Sequence, residues 1–255
     1  VTLRQLLGHT AGLPDYGGLP EYNAAIRAAP ERAWSGDEFL ARTLPRGPLF
    51  APGEGWAYSN IGYLLVRQII ERATGELLAT VLRQHLLDPL GLRQTSVVST
   101  LADAAALAPG WSRFLDPDGE VTNITPRYDP GWVAHGVVAA TAEEVAALIE
   151  AIVAGPLLGE AERATLLTPR LLPFAHPPFR QPAYSIGLML DPASPYGLVA
   201  GHGGGGPGYA AAAFHFAALA GEPITIVALL NRDHNDAAMR VVFTLAELLT
   251  AGDQG

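Results

Sequence analysis

Two side chains are missing outright from the 255 residues: cysteine and lysine. Without cysteine there are no disulfides and no thiolate metal sites, and the redox compartment cannot be read from thiols. Without lysine, a phosphate-binding Walker loop, a Schiff base and a serine nucleophile activated by a lysine three residues on are all excluded within these residues. All 16 basic residues are arginine, and no basic run offers itself to phosphates, so nucleic acid is not an expected partner. Apolar runs stay well below the ~18 residues that would suggest a transmembrane helix. Neither a Gly-x-Ser-x-Gly elbow nor a His-Glu-x-x-His zinc pattern occurs, and no metal or cofactor is expected.

What is there is apolar and globular in composition: 49% hydrophobic, 16% charged, formal net charge −9. Thr2 starts a short helix over 3–7 that leads into a loop enforced by Gly12 and Pro14. Ser35-Gly36-Asp37-Glu38 reads as a capping box. From Ser59, Ile61, Leu64, Leu65, Ile69 and Ile70 recur at helical spacing until Thr74-Gly75, and a second helix is expected over 76–87. Residues 109–135 are loop-rich. Thr141-Ala142-Glu143-Glu144 opens another helix, which Gly155-Pro156 stops.

Beyond a proline-rich connection the period changes, and 184–190, 209–216 and 224–230 read as strands. The last two form an expected hairpin, joined through 217–223. Because both strands are apolar throughout, it is expected in the middle of the sheet, under a final helix capped by Asn235 or Asp236.

Two stretches carry chemistry. Tyr58-Ser59-Asn60 stands at the mouth of a helix, with two polar side chains able to point into one cavity; alone it is also an ordinary helix start. His202 heads the glycine run Gly203 to Gly206, which lets backbone approach a ligand because no Cβ intervenes. Alone, His202 is equally a surface imidazole beside a turn. The string 201–206 formally fits the dinucleotide fingerprint G-x-G-x-x-G, but Pro207-Gly208 follows where a helix should open. His9 reads as a packing residue of its loop. His234, with Asp233 and Asp236, reads as a solvated helix start rather than a metal cluster.

Five ordered segments resemble the serine β-lactamase (class C-like), D-alanyl-D-alanine carboxypeptidase and penicillin-binding protein family. Residues 2–13 look like its TLRHLLTHTSGL segment. Pro52-Gly53 with Tyr58-Ser59-Asn60-Ile61-Gly62-Tyr63 resembles PG…YSN-x-GY. Thr74-Gly75 and 89–95 match TG…PLGM-x-x-T, residues 136–144 resemble GGLVSTA-x-DL, and His202-Gly203-Gly204 stands at Lys-Thr-Gly or His-x-Gly.

The resemblance implies an α+β fold, with a helical lobe beside an antiparallel sheet with flanking helices. The whole of 1–255 is then one incomplete domain, mainly helical over 1–135 and α/β over 136–255. It implies acyl transfer to a serine, with a small-molecule or peptide substrate: a β-lactam, a D-Ala peptide or an ester. Tyr58 would exchange protons with the nucleophile and needs a cation to lower its pKa. Asn60 would bind the acyl side chain and hold the lysine, and His202 would replace the third-motif cation. Gly203 and Gly204 would line the substrate, and Gly205 would give one oxyanion N–H.

The departure is that no Ser-x-x-Lys lies within these residues. The chain is therefore expected to be the downstream part of a longer protein, its first strands and nucleophile helix supplied by an upstream segment, and to be inactive alone. The histidine of the third motif leans toward an esterase or peptidase. The rival readings are a catalytically dead binding or interaction module and, more remotely, a nucleotide-binding domain.

Overall fold

The computed structural model describes residues 1–234 and 236–251. The chain divides into two compact units, Val1–Ala139 and Ala140–Gly255.

The first unit is mainly helical: α1 (Leu3–Leu7), α2 (Pro20–Ala28), α3 (Gly36–Thr43), α4 (Asn60–Thr74), α5 (Leu78–Leu82) and α6 (Leu101–Ala104). Thr2 and Ser35 close capping boxes on Gln5 and Glu38, so the local code for α1 and α3 is obeyed. Ser59 caps α4, and Gly75 ends it at φ 73°, a left-handed conformation suited to glycine. The buried stripe of α4 is Ile61, Leu64 and Val66; Ile69, expected inside, is 44% exposed. Ile61 and Leu64 pack with Phe39, Ile26 and Trp132 in one aromatic-rich core. The helix expected over 76–87 is two pieces, α5 and a π-helical turn at Arg83–Leu87, with Leu87 alone buried. Four short strands form two antiparallel pairs: β1 (Ser96–Val98) with β4 (Val137–Ala139), and β2 (Trp111–Ser112) with β3 (Thr122–Asn123).

The second unit layers helices on both faces of a six-stranded antiparallel sheet. Its helices are α7 (Ala142–Val153), α8 (Glu160–Leu166) and α9 (Ala237–Ala251). The strands are β5 (Arg170–Leu171), β6 (Ala183–Tyr184), β7 (Met189–Asp191), β8 (Val199–Gly206), β9 (Tyr209–Leu219) and β10 (Glu222–Leu230), in the spatial order β10-β9-β8-β7-β6-β5. Alternation divides the core. Val199, Ala212, Phe214 and Phe216 pack with Val242, Phe243 and Ala246 of α9, while Ala200 and Leu190 pack with Val153 of α7. Asn235, one of the two expected caps of α9, lies outside the described residues.

Three expectations need correction here. The segment 184–190 is a tight hairpin, not one strand, because Gly187 turns the chain at φ 80° between β6 and β7. The β9–β10 connection is only Ala220 and Gly221, both at positive φ, which matches the twist of a two-residue hairpin. The hairpin is not central: β9 is internal, but β10 is the outermost strand on its side among the described residues. The apolar character of β10 reflects the helices packed on its faces, and Leu229 is 42% exposed.

The glycine run lies at the end of strand β8, as its flanks lead one to expect. Gly203 to Gly206 pair with Ala212 to Tyr209 of β9, and Pro207-Gly208, with Gly208 at φ 83°, makes the tight turn back. No helix follows it, so the dinucleotide reading fails on local geometry.

Candidate functional site

Tyr58, Ser59 and Asn60 are held by a single loop, residues 9–15. Ser59, buried to 3%, donates its N–H to His9 Nδ1 at 3.1 Å, so the His9 ring carries its proton on Nε2. Ser59 Oγ donates to the Pro14 carbonyl at 3.0 Å and accepts the Gly62 N–H at 3.3 Å. Asn60 gives its backbone N–H to Asp15 Oδ1 at 2.6 Å and its side-chain Nδ2 to Asp15 Oδ2 at 3.0 Å. The Tyr58 ring lies against the His9 ring, with centroids 4.2 Å apart. Packing thus fixes its base while 43% of the residue stays exposed.

The loop holds its shape through backbone bonds: Ala57 N–H to the His9 carbonyl, Gly53 N–H to that of Thr10 and Leu49 N–H to that of Gly12. Gly12 sits at φ 74°, where a Cβ would collide with the Phe50 carbonyl oxygen. Gly12→Ala is therefore expected to cost about 3 kcal/mol, summing left-handed backbone strain and overpacking. Urea denaturation checks this, and an unchanged midpoint would show that the loop is not clamped.

Burial, and then the Asp15 charge, push the Tyr58 phenol above its ordinary pKa. This is opposite to the lowering that the motif resemblance implies for a base. At neutral pH Tyr58 is a neutral phenol that can donate a hydrogen bond, and any activation as a base has to come from a cation.

The second group is built on β8. His202 Nδ1 lies against the Gly203 carbonyl oxygen, which can only accept, so Nδ1 carries the proton. Nε2 lies 3.1 Å from the Tyr184 hydroxyl, from which it accepts when the ring is neutral, with the two rings edge to face. Burial lowers the pKa of His202 from its ordinary 6.5, against a smaller opposing effect of the Gly203 carbonyl. Burial thus favours the neutral ring, where the resemblance implies a cation. Strand β7 pairs with β8 only from Val199 to Gly201. From Gly203 to Gly206 no strand covers that edge among the described residues. Ordinary strand φ values show that these glycines are not there for backbone conformation: a Cβ at Gly204 would meet only Ala211 at 3.8 Å, and one at Gly206 nothing.

The structure thus brings Tyr58 and Asn60 together in the first unit, and places His202 and Gly203 to Gly205 on one strand of the second. His9, Asp15 and Tyr184 were missed as partners. The sequence around Gly12 and Pro14 marks a tight loop, but nothing in it pairs Asp15 with Asn60 across 45 residues. Tyr184 reads as one more strand residue. A cavity of about 330 Å³ in the first unit, lined by Trp34, Phe39, Leu64, Arg67 and Glu71 among others, includes none of Tyr58, Asn60 and His202. Its charge is internally matched, Arg67 Nε lying 3.0 Å from Glu71. Among the described residues no group of three His, Asp or Glu could hold a metal ion, and no helix is long and apolar enough to cross a membrane.

The Beta-lactamase family model matches residues 1–251. The chain belongs to the Beta-lactamase family. Among its family relatives, penicillin-binding protein 4* of Bacillus subtilis (strain 168) is 26% identical, over 99% of this chain and 56% of that protein. A D-aminopeptidase of Cereibacter sphaeroides is 25% identical, over 91% of this chain and 42% of its own length. The chain spans about half the length of these curated relatives. Among solved structures, a D-stereospecific amidohydrolase from Streptomyces sp. superposes with a TM-score of 0.79 at 25% identity, covering 95% of this chain and 71% of that one. The α+β, β-lactamase/transpeptidase-like fold is thereby shown, and these family members include hydrolases of amide bonds.

Proposed function

We propose that Tyr58 and Asn60 of the first unit, and His202 with Gly203 to Gly205 of the second, serve acyl transfer. The protein they serve is a serine hydrolase of amides or esters. The observation that carries the substrate class is His202, held between the Gly203 carbonyl and the Tyr184 hydroxyl with its pKa lowered by burial. A β-lactam or a D-Ala peptide brings a carboxylate next to the scissile bond. A neutral ring whose Nδ1–H is already committed to backbone offers that carboxylate no charge. An ester or a simple amide makes no such demand, which also accords with the D-aminopeptidase and amidohydrolase among the relatives.

In this reading the nucleophile is a serine with a lysine three residues on, supplied from outside the 255 residues, since these contain no lysine. The lysine ammonium would lower the raised Tyr58 pKa, and Tyr58 would then pass the serine proton onward. The Gly205 N–H and the amide of the nucleophile would hold the oxyanion, and the open edge of β8 would take the acyl chain.

The test compares kcat/KM of the full-length protein on a phenyl ester, a D-amino acid amide and a chromogenic β-lactam. The ester or amide is expected to exceed the β-lactam by about 10²-fold, because a carboxylate left without a charged partner costs a few kcal/mol. A β-lactam turned over as fast as either would overturn this substrate class. A second reading, a binding module without catalysis, draws on Tyr58: with burial and Asp15 raising its pKa, these residues alone make no base. A full-length gene without an in-frame Ser-x-x-Lys would favour it.

A further inference from the structure

We propose that Asp15 is a positioning residue of this site: its carboxylate fixes the Asn60 carboxamide with the nitrogen turned inward and Oδ1 presented as an acceptor. This rests on reading Asn60 as a substrate-facing residue. An ionised carboxylate accepts hydrogen bonds and donates none. The Asn60 amide therefore faces Asp15 through nitrogen, at 3.0 Å from Oδ2, while the Asn60 backbone N–H meets Oδ1 at 2.6 Å. A flipped carboxamide would set its oxygen against a carboxylate oxygen, so the orientation is one-sided. The Gly17 N–H, 3.1 Å from Oδ2, holds the carboxylate from its own loop. No ion pair to Asp15 occurs among the described residues, so its charge is met by N–H groups at the N-terminal end of α4.

The consequence concerns the ligand. A side chain locked in this way offers an incoming group a carbonyl oxygen and a single remaining N–H. It selects a donor at that subsite, such as the N–H of an acyl amide or an ammonium group, over an acceptor such as an ester or ether oxygen. Asparagine alone has no such preference, because its carboxamide can turn to suit either partner. Asp15 converts an adaptable group into a directional one.

An alternative is that Asp15 only caps α4. The two roles part on the side-chain amide. In the 255-residue chain labelled with ¹⁵N-asparagine, with the Asn60 resonances assigned through Asn60→Ser, one Nδ2 proton is expected downfield of its geminal partner. Rotation about the carboxamide C–N bond is expected to be about tenfold slower than in an exposed asparagine, as a hydrogen bond to a charged acceptor requires. Asp15→Asn keeps an acceptor for the Asn60 backbone N–H but can also donate. In that variant the downfield shift and the slow rotation should vanish, while the backbone amides of α4 keep their exchange protection. The exchange Asp15→Asn with Asn60→Asp should restore the stability lost by either change alone.

A pure cap would leave no special signature on Nδ2 in the parent chain. Should Asp15→Asn fail to fold, the parent spectrum still decides: free rotation of the Asn60 carboxamide overturns the proposal. The measurement uses no substrate, so it stands apart from the functional reading. A fixed Asn60 in a full-length protein without acyl transfer sinks that reading alone. A freely turning Asn60 in an active enzyme sinks the role of Asp15 alone.

Discussion

The 255-residue chain is expected to form no acyl-enzyme with a fluorescent penicillin or a fluorophosphonate. The family chemistry needs a serine and a lysine three residues apart, and these residues contain no lysine. The serine nearest the motif residues is no substitute. Ser59 is 3% exposed, with Oγ donating to the Pro14 carbonyl and accepting the Gly62 N–H, so its hydrogen-bonding capacity is spent on capping α4. Tyr58 beside it, its pKa raised by burial and by Asp15, takes no proton at neutral pH. With nucleophile and base both lacking, the remaining groups would give on the order of 10³ over water. Labelling is expected to appear when a Ser-x-x-Lys segment is supplied, covalently or in trans, and Tyr58→Phe should then slow it sharply. In-gel fluorescence with mass-spectrometric mapping of the labelled peptide checks this. Robust labelling of the chain by itself would mean a nucleophile of another kind.

Stability is expected to fall as pH drops below about 6.5, well before the carboxylates titrate. His202 and His215 both have pKa values lowered by burial, His215 against a partial opposing effect of Glu150. His215 is 5% exposed on β9, with Nδ1 2.9 Å from Thr225 Oγ1. The sign follows from linkage. Below 6.5 the unfolded chain binds protons at these imidazoles while the folded chain does not, so unfolding is favoured as pH falls, until the folded pKa values are passed. Above 6.5 the contribution is complete and flat. Each histidine adds up to about 1.4 kcal/mol per pH unit within the window. The carboxyls of Glu21, Glu38 and Asp103, held down by hydrogen bonds, act in a separate window below their ordinary values near 4. Urea midpoints between pH 8 and pH 5 test this, with His215→Asn expected to remove about half the slope. Equal midpoints at pH 7 and pH 5 would contradict the neutral, buried state of both rings.

Much of this protein is written locally. Thr2, Ser35, Ser59 and Thr141 each cap the helix they precede, because a side-chain oxygen two or three residues from an orphan N–H needs no distant help. The family and the α+β fold were likewise legible, since ordered motifs survive in the sequence whatever their surroundings. Tyr58, Asn60 and His202 were named from those motifs alone.

Tertiary structure decided what short-range rules cannot carry. Gly187 breaks an apolar run into a hairpin, which the hydrophobic pattern of 184–190 hides. The apolar strand β10 reads as central because helices cover its faces, yet strand order is a matter of hydrogen bonds at its edges, which leave no trace in apolar pattern. Charge state was decided in the same way. The motif at 202 says histidine, but its lowered pKa comes from burial in the fold, against the opposing Gly203 carbonyl, and its ring is held by Tyr184, 18 residues away on another strand. The pKa of Tyr58 and the direction of Asn60 both depend on Asp15, brought across 45 residues by the loop that Gly12 shapes. Sequence determined which groups are candidates for the site; the folded chain alone set their protons and their directions, because electrostatics and hydrogen bonding depend on distance through space, not on distance along the chain.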